Sequence, residues 1–385
     1  MQKALYVGSF DPITNGHLDI VRRAKAQCEH LTIGLGINAD KKYTFSLDER
    51  LAMVRRAVRD MPGVNIVTYN GLYVDYARIN GFPVVIRGMR KDDAQFEKLL
   101  FDVAATQKLG IETVMLWAGK DTEHISSSAV KELQKNQGRL EAFVPFDVKQ
   151  RIEERISGQY ILAVTGSIGC GKSYVCKQFE ALGKAKNIPV HNIDLDIIGH
   201  KILGDRKEGI YTQELFVQAR ASIARAFGAK ILLPDGYIDR KMLGDVVFHE
   251  PTALAVLNEI IQEPLIIQTR AQEMVGKKGL VLLNAALIAE TGISYMSNHN
   301  VVLVHADEAT QMSRLSERGL SKEQTQRRVE NQYNTEAKRA AIQEQIRRHS
   351  FGTIIELDNS TSAPAENIHA AFGKAIDILR IPEST

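Results

Sequence analysis

Two segments of this chain carry residue types whose spacing suits them to handle phosphate. The first is Gly8-Ser9-Phe10-Asp11-Pro12-Ile13-Thr14-Asn15-Gly16-His17. Gly8 and Gly16 let backbone approach a phosphate, Ser9 adds a hydroxyl donor, and a helix opening there offers unpaired N–H groups and a positive dipole end. Thr14 and His17, spaced i,i+3, share one face of that first turn. An imidazole so placed can donate a hydrogen bond to a phosphoryl oxygen as charge builds up in a transition state. For Thr14-Asn15-Gly16-His17 alone, a helix cap with a satisfied surface histidine is the competing reading. The second segment, Gly166-Ser167-Ile168-Gly169-Cys170-Gly171-Lys172-Ser173, fits G-x-x-x-x-G-K-[ST]. Its N–H groups form an anion nest, Lys172 reaches the β- and γ-phosphates of ATP, and Ser173 ligates Mg²⁺. Further on, Asp194-Leu195-Asp196 offers two carboxylates. One can approach an acceptor hydroxyl or a metal-bound water, and the other is expected to cap the next helix. Cys170 lies where a helix N-terminus favours a thiolate. Its oxidation would block ATP, unless it is simply a small residue that the loop tolerates.

Each segment needs a strand to deliver it and a helix to receive it, and the sequence alternates such elements twice. Ala4–Val7, Leu31–Ile37, Val64–Val67, Val84–Ile86 and Thr113–Leu116 predict buried strands. Ser46 to Met61 reads as a helix, with Ser46 as N-cap and Glu49 closing a capping box. The alternation restarts with Tyr160–Val164, Val190–Ile193, Leu280–Leu283, Val301–Val304 and Thr353–Glu356. Between the two sets, Pro145 to Arg155 is a charged helical stretch, with Pro145 suited to a first-turn position, and Ser157-Gly158 breaks it. The expected architecture is α/β with two doubly wound, mainly parallel sheets, in domains spanning 1–157 and 158–385.

Length and composition agree with two globular domains and exclude other classes. A chain of 385 residues exceeds the length at which one core stops growing. Its 49 basic and 46 acidic residues balance too evenly for a nucleic-acid-binding surface, so anions must be held by local clusters. Cys28, Cys170 and Cys176 are too few for a disulfide framework and suit a reducing cytoplasm. Ala4–Val7 is too short for a secretory h-region, and Gly279–Ala289, interrupted by Asn284, falls short of a membrane span.

The first half resembles the nucleotidyltransferase superfamily with its T/HxGH signature, and bacterial phosphopantetheine adenylyltransferases in particular. The resemblance covers most of residues 1–157. It implies that Ser9, Phe10 and His17 meet ATP and that Lys41, of the pair Lys41-Lys42, binds phosphate. Gly71-Leu72 matches the pantetheine-contacting segment, which makes Leu72 a substrate contact. In Ile86-Arg87-Gly88-Met89-Arg90 one guanidinium, assigned to Arg87, holds the phosphate of 4′-phosphopantetheine, while Arg90 approaches ATP. Ser126, Ser127 and Ser128 match a serine cluster that holds the β- and γ-phosphates. One departure is Phe96-Glu97-Lys98-Leu99, where Leu99 replaces a glutamate that meets the nucleotide.

The second half resembles dephospho-CoA kinases, a P-loop family with helical substrate and lid regions. On that resemblance Asp196 is the base that orients the ribose 3′-hydroxyl, with Asp194 beside the substrate. Asp235-Gly236-Tyr237-Ile238-Asp239-Arg240, with Leu243 and Phe248 beyond, matches the substrate-side helices. Arg314 and Arg318, followed by Gly319-Leu320-Ser321, match a mobile lid closing on phosphates, and Lys338-Arg339 is a further basic pair. The family's His-Pro is Glu263-Pro264 here. Its Pro-Leu-Leu-x-Glu string is Ala286-Leu287-Ile288-Ala289-Glu290, which keeps Glu290 as a substrate contact and loses the proline.

Together these resemblances imply a bifunctional enzyme of coenzyme A synthesis. It would adenylylate 4′-phosphopantetheine with Mg²⁺-ATP and then phosphorylate dephospho-CoA to CoA. The expected partners are these small molecules, without nucleic acid or membrane, and a homo-oligomer is compatible. Two alternatives stand beside it: a nicotinamide-nucleotide-type adenylyltransferase fused to another small-molecule kinase, or a chain in which one half only binds ligand.

Overall fold

Among the described residues, runs of valine, isoleucine and leucine bounded by glycines and helix caps fold as ten parallel strands in two separate five-stranded sheets. A computed structural model describes residues 2–38, 41–90, 95, 102, 105–107, 110–204, 213–247, 251–317, 333–363 and 366–382. Within it the chain divides into two compact units, Met1–Ile156 and Ser157–Thr385.

In the first unit the strands are β1 (Lys3–Gly8), β2 (His30–Ile37), β3 (Val64–Asn70), β4 (Val84–Met89) and β5 (Glu112–Trp117), in the order β3-β2-β1-β4-β5. Side chains of β1 alternate between two cores, as the two-residue period of a strand requires. Ala4 and Tyr6 join a cluster with Ile33 and Ile86, and Leu5 and Val7 join Val74, Phe82 and Val85 on the other face. Helices α1 (Asn15–Lys25), α2 (Leu47–Ala57), α3 (Tyr73–Ile79), α4 (Ser127–Lys135) and α5 (Phe146–Ile152) complete the unit's helices used below. The order reverses at β1, so the crevice beyond its carboxyl end is a natural ligand site.

The second unit repeats the plan. Its strands are β6 (Gln159–Gly166), β7 (Val190–Asp194), β8 (Gly279–Asn284), β9 (Asn300–His305) and β10 (Thr353–Asp358), in the order β10-β9-β6-β8-β7. Leu162 and Val164 face one core, Ile161 and Ala163 the other. The helices that matter here are α6 (Lys172–Ala185), α7 (Leu195–Leu203), α8 (Arg240–Val247), α9 (Pro251–Gln268), α10 (Glu308–Glu317) and α11 (Thr335–His349).

Each expected strand lies inside an observed one. Helix ends depart from expectation for local reasons. The capping box of Ser46 and Glu49 is present, but α2 stops at Ala57, four residues before Met61. Met61 precedes Pro62, and a residue before proline is steered away from helical geometry. Pro145 is the N-cap of α5 and lies outside its first turn. Beyond that helix a π-type turn, Glu153–Ser157, leads to Gly158, whose φ of +66° suits glycine and ends the stretch. Among the described residues no helix is long and apolar enough to cross a membrane.

Candidate active sites

Beyond β1 the backbone turns sharply before α1, and the turn sets up the imidazole. A Cβ on Gly8 would lie 2.9 Å from the Phe10 ring, so a side chain there would have to displace that ring. Phe10 is buried and meets the His17 ring edge-on, with centroids 5.1 Å apart. Thr14 caps α1, and its N–H donates to His17 Nδ1 at 3.0 Å. With Nδ1 accepting, the neutral ring carries its proton on Nε2. Burial, aided by the charge of Arg90, pulls the His17 pKa down to about 4. The site thus holds a neutral histidine with a directed donor.

The rest of the phosphate-binding surface converges on the same place. Lys41 Nζ donates to Ser9 Oγ at 3.1 Å, while buried Arg50 donates to Ser9 O at 2.7 Å and stacks 3.9 Å above Tyr43. Arg87, near the end of β4, has its guanidinium 5.4 Å from the Tyr73 ring. Arg90 donates to Ile125 O at 3.4 Å. Ser126 caps α4 by accepting from Ala129 N at 2.9 Å, and Ser127 Oγ donates to Pro12 O at 2.8 Å, tying the serine cluster to the first loop. Asp11 braces that loop from below. Burial would raise its pKa, yet the amides of Thr44 and Phe45 together with Lys131 hold it below the usual carboxylate value.

One cavity of about 580 Å³ is lined by Ser9, Phe10, His17, Lys41, Leu72, Arg87, Arg90, Ser126, Ser127 and Ser128. All the candidates from the first half therefore share one site. The stretch containing Leu99 lies outside the described residues.

Tyr69 also lines this cavity and was not among the sequence candidates. It pairs with Gly36 across β2 and β3, and a Cβ at residue 36 would come within 2.9 Å of its hydroxyl. Burial pushes the phenol up to about 12 against the opposing charge of Arg87, so it remains a neutral donor. The only sequence signal was an aromatic residue just before Asn70-Gly71 at a strand end.

In the second unit β6 delivers Gly166 and α6 begins at Lys172. A Cβ on Gly166 would sit 2.0 Å from Val304 O, and Gly169 and Gly171 hold φ of +79° and +91°. The nest of Ser167, Ile168, Gly169 and Cys170 is thus built on positions that favour glycine. Lys172 Nζ donates to Gly166 O at 3.1 Å and Ser167 O at 3.4 Å, and Ser173 stands on the first turn of α6.

Arg314 braces this loop. From α10 it donates to Cys170 O at 3.1 Å and Asn359 O at 2.9 Å, and Asn359 Nδ2 donates to Cys170 O at 2.8 Å. It was expected on a lid, whereas here its guanidinium grips loop carbonyls. Arg318, Gly319-Leu320-Ser321 and Phe248 lie outside the described residues. Cys170 is completely buried in the core with Val164 and Val304, so an oxidant has no path to it in this conformation. The reading as a small packing residue replaces that of a reactive thiol.

One of the two aspartates is the expected helix cap. Asp194 caps α7, accepting from the N–H groups of Asp196 at 3.0 Å and Ile197 at 3.1 Å. Asp196 is exposed, and its Oδ2 accepts from Ala286 N at 3.3 Å. Desolvation by the surrounding protein pushes its pKa up; Lys172 opposes the shift and Asp194 adds to it. Glu290 accepts from Tyr333 N at 3.1 Å and is ion-paired with Lys338. Of the substrate-side residues, Asp239 caps the opening of α8, Leu243 is core, and Arg240 meets His200 Nε2 at 2.8 Å. Pro264 lies inside α9, after Glu263.

Comparisons with known proteins bear on both units. The dephospho-CoA kinase family model matches residues 160–350, and the cytidylyltransferase-like model matches residues 5–133. A phosphopantetheine adenylyltransferase from Flavobacterium johnsoniae is 40% identical over 151 residues, which is 39% of this chain and 98% of that protein. The corresponding Cutibacterium acnes protein is 40% identical over 154 residues, 40% of this chain and 98% of that protein.

Proposed function

Since the chain belongs to the phosphopantetheine adenylyltransferase family and joins to that region a dephospho-CoA kinase region, it is a bifunctional enzyme of coenzyme A biosynthesis, and we propose how its residues divide the two reactions. Residues 1–157 transfer the adenylyl group, and residues 158–385 phosphorylate the product. The break between compact units after Ile156 supports this division.

In the first reaction the phosphate of 4′-phosphopantetheine attacks the α-phosphorus of ATP in line, and pyrophosphate leaves. The reaction calls on no protein nucleophile, so the site supplies position and charge. Lys41, Arg87 and Arg90 neutralise phosphate charge. The serine cluster at the opening of α4 receives the β- and γ-phosphates, and Leu72 contacts the pantetheine arm. His17 donates its Nε2 proton in a hydrogen bond to the α-phosphoryl oxygen, where negative charge grows. The observation that carries this reading is the convergence of His17, Lys41, Arg87, Arg90 and Ser126–Ser128 on one cavity.

In the second reaction the loop Gly166–Ser173 wraps the phosphates of a second ATP. Lys172 turns from its carbonyls to the β- and γ-phosphates, and Asp196 accepts the proton of the ribose 3′-hydroxyl. Arg314 acts through the loop it braces. The hydroxyl of Ser173 is a hard oxygen donor that fits a Mg²⁺ ion arriving with ATP, and that ion would neutralise phosphate charge. Small anionic substrates and three unpaired cysteines suit a cytoplasmic setting.

The test is to give the full chain 4′-phosphopantetheine and Mg²⁺-ATP and follow products by mass. Dephospho-CoA should rise and decay as CoA accumulates. If neither forms while nicotinamide mononucleotide is adenylylated instead, the substrate assignment is wrong.

A further inference from the structure

Lys338 is fully buried, although taking an ammonium out of water costs several kcal/mol. Its Nζ donates to Ala286 O at 2.7 Å and pairs with Glu290. Thr165 Oγ1, one residue before the phosphate loop, donates to the same carbonyl at 3.2 Å. Residue 286 is thereby held by its C=O, and its N–H points to Asp196 Oδ2 at 3.3 Å. Asp194 is committed to the cap of α7. The Ala286 amide is thus a specific anchor for Asp196, and it exists because residue 286 is not proline, which has no N–H to give.

We propose that Lys338 and the backbone of Ala286 are positioning elements for phosphoryl transfer: the buried ammonium fixes Ala286, and the Ala286 amide fixes the carboxylate that receives the acceptor proton. The proposal rests on Asp196 as base. Lys338 also favours the ionised form of Asp196 from a distance, together with Lys172, against desolvation and Asp194. Burial pulls the Lys338 pKa down, and the ion pair with Glu290 opposes that shift. In this arrangement Glu290 serves the acceptor side through Lys338.

A double-mutant cycle on the full chain tests this, with phosphorylation of supplied dephospho-CoA as the readout. Asp196→Asn alone tests the base, and near-parental kcat in that variant would refute the underlying reading. Lys338→Met should lower kcat about 10–100-fold, the scale of a misplaced catalytic group, with KM for ATP little changed. In the Asp196→Asn background the same substitution should cost almost nothing further, because it acts through Asp196. Additive losses, or a Lys338→Met enzyme within twofold of the parent while Asp196→Asn is crippled, would overturn the relay alone. If Lys338→Met loses ATP binding through unfolding, Thr165→Val keeps the ion pair and removes one of the two donors that hold the Ala286 carbonyl. It should show a smaller fall in kcat and the same non-additivity, and parental kcat in that variant counts against the proposal.

Discussion

His17 shows how a single side chain is prepared for its task. The Thr14 N–H fixes the tautomer, Phe10 fixes the ring, and burial with Arg90 lowers the pKa to about 4. A histidine of ordinary pKa would be partly cationic at pH 6, whereas this one stays neutral. Adenylyl transfer should therefore lose no rate to His17 protonation between pH 8 and pH 5, with that loss setting in only near pH 4. A pH–rate profile of kcat for the first reaction checks this, and a His17-dependent limb near 6.5 would contradict it. The stability effect has the same sign. The folded pKa is depressed, so the neutral ring's contribution is full above 6.5 and is lost as pH falls towards 4. Tyr69 gives a second prediction at this scale. Tyr69→Phe removes a neutral donor from the cavity beside Arg87, and it should raise KM for 4′-phosphopantetheine several-fold with little change in melting temperature. An unchanged KM would remove Tyr69 from the substrate site. Residues such as His17 and Ser126 were legible because their partners lie within one helical turn. Tyr69 and Arg50 were not, and Lys338 showed only as half of a basic pair, because their meaning comes from Gly36, Ser9 and Ala286, which only the fold brings near.

At the scale of elements, both reactions use the same device: a buried strand ends in glycine, and a helix opens toward the phosphate. The positions of the ten strands could be read from runs of β-branched and aliphatic residues, which a strand buried on both faces needs; the expectation of burial fails for the edge strands β3 and β5, which hold no fully buried residue. Helix ends were harder, since Pro62 and Pro145 act on the turn next to them. The bracing of the phosphate loop was invisible, because Arg314 and Asn359 come from distant parts of the chain. That brace makes Gly171 sensitive twice over. Its φ is +91°, and a Cβ there would lie 2.3 Å from Asn359 Nδ2. Gly171→Ala should cost at least ~1–2 kcal/mol from left-handed strain alone. Displacing Asn359 would also release Cys170 O and disturb Arg314. The expected result is an increase of tenfold or more in KM for ATP in phosphorylation, with adenylyl transfer unaffected. A parental KM would show that the brace is dispensable.

At the scale of the whole molecule, each unit has its own five-stranded sheet and its own hydrophobic clusters among the described residues. Among the described residues, the candidates for each reaction all come from one unit. The two activities should therefore separate by point mutation in the intact chain. His17→Ala removes a transition-state donor and should slow adenylyl transfer on the order of 10²–10³-fold, while supplied dephospho-CoA is still phosphorylated at the parental rate. Lys172→Ala should do the reverse, so that 4′-phosphopantetheine and Mg²⁺-ATP yield dephospho-CoA and stop there. A mixture of the two variants should make CoA again, since each supplies the step the other lacks and the intermediate is a diffusible small molecule. Either substitution abolishing both activities in a chain that still melts like the parent would mean that the sites are not independent, and the division of labour proposed for the two units would fall.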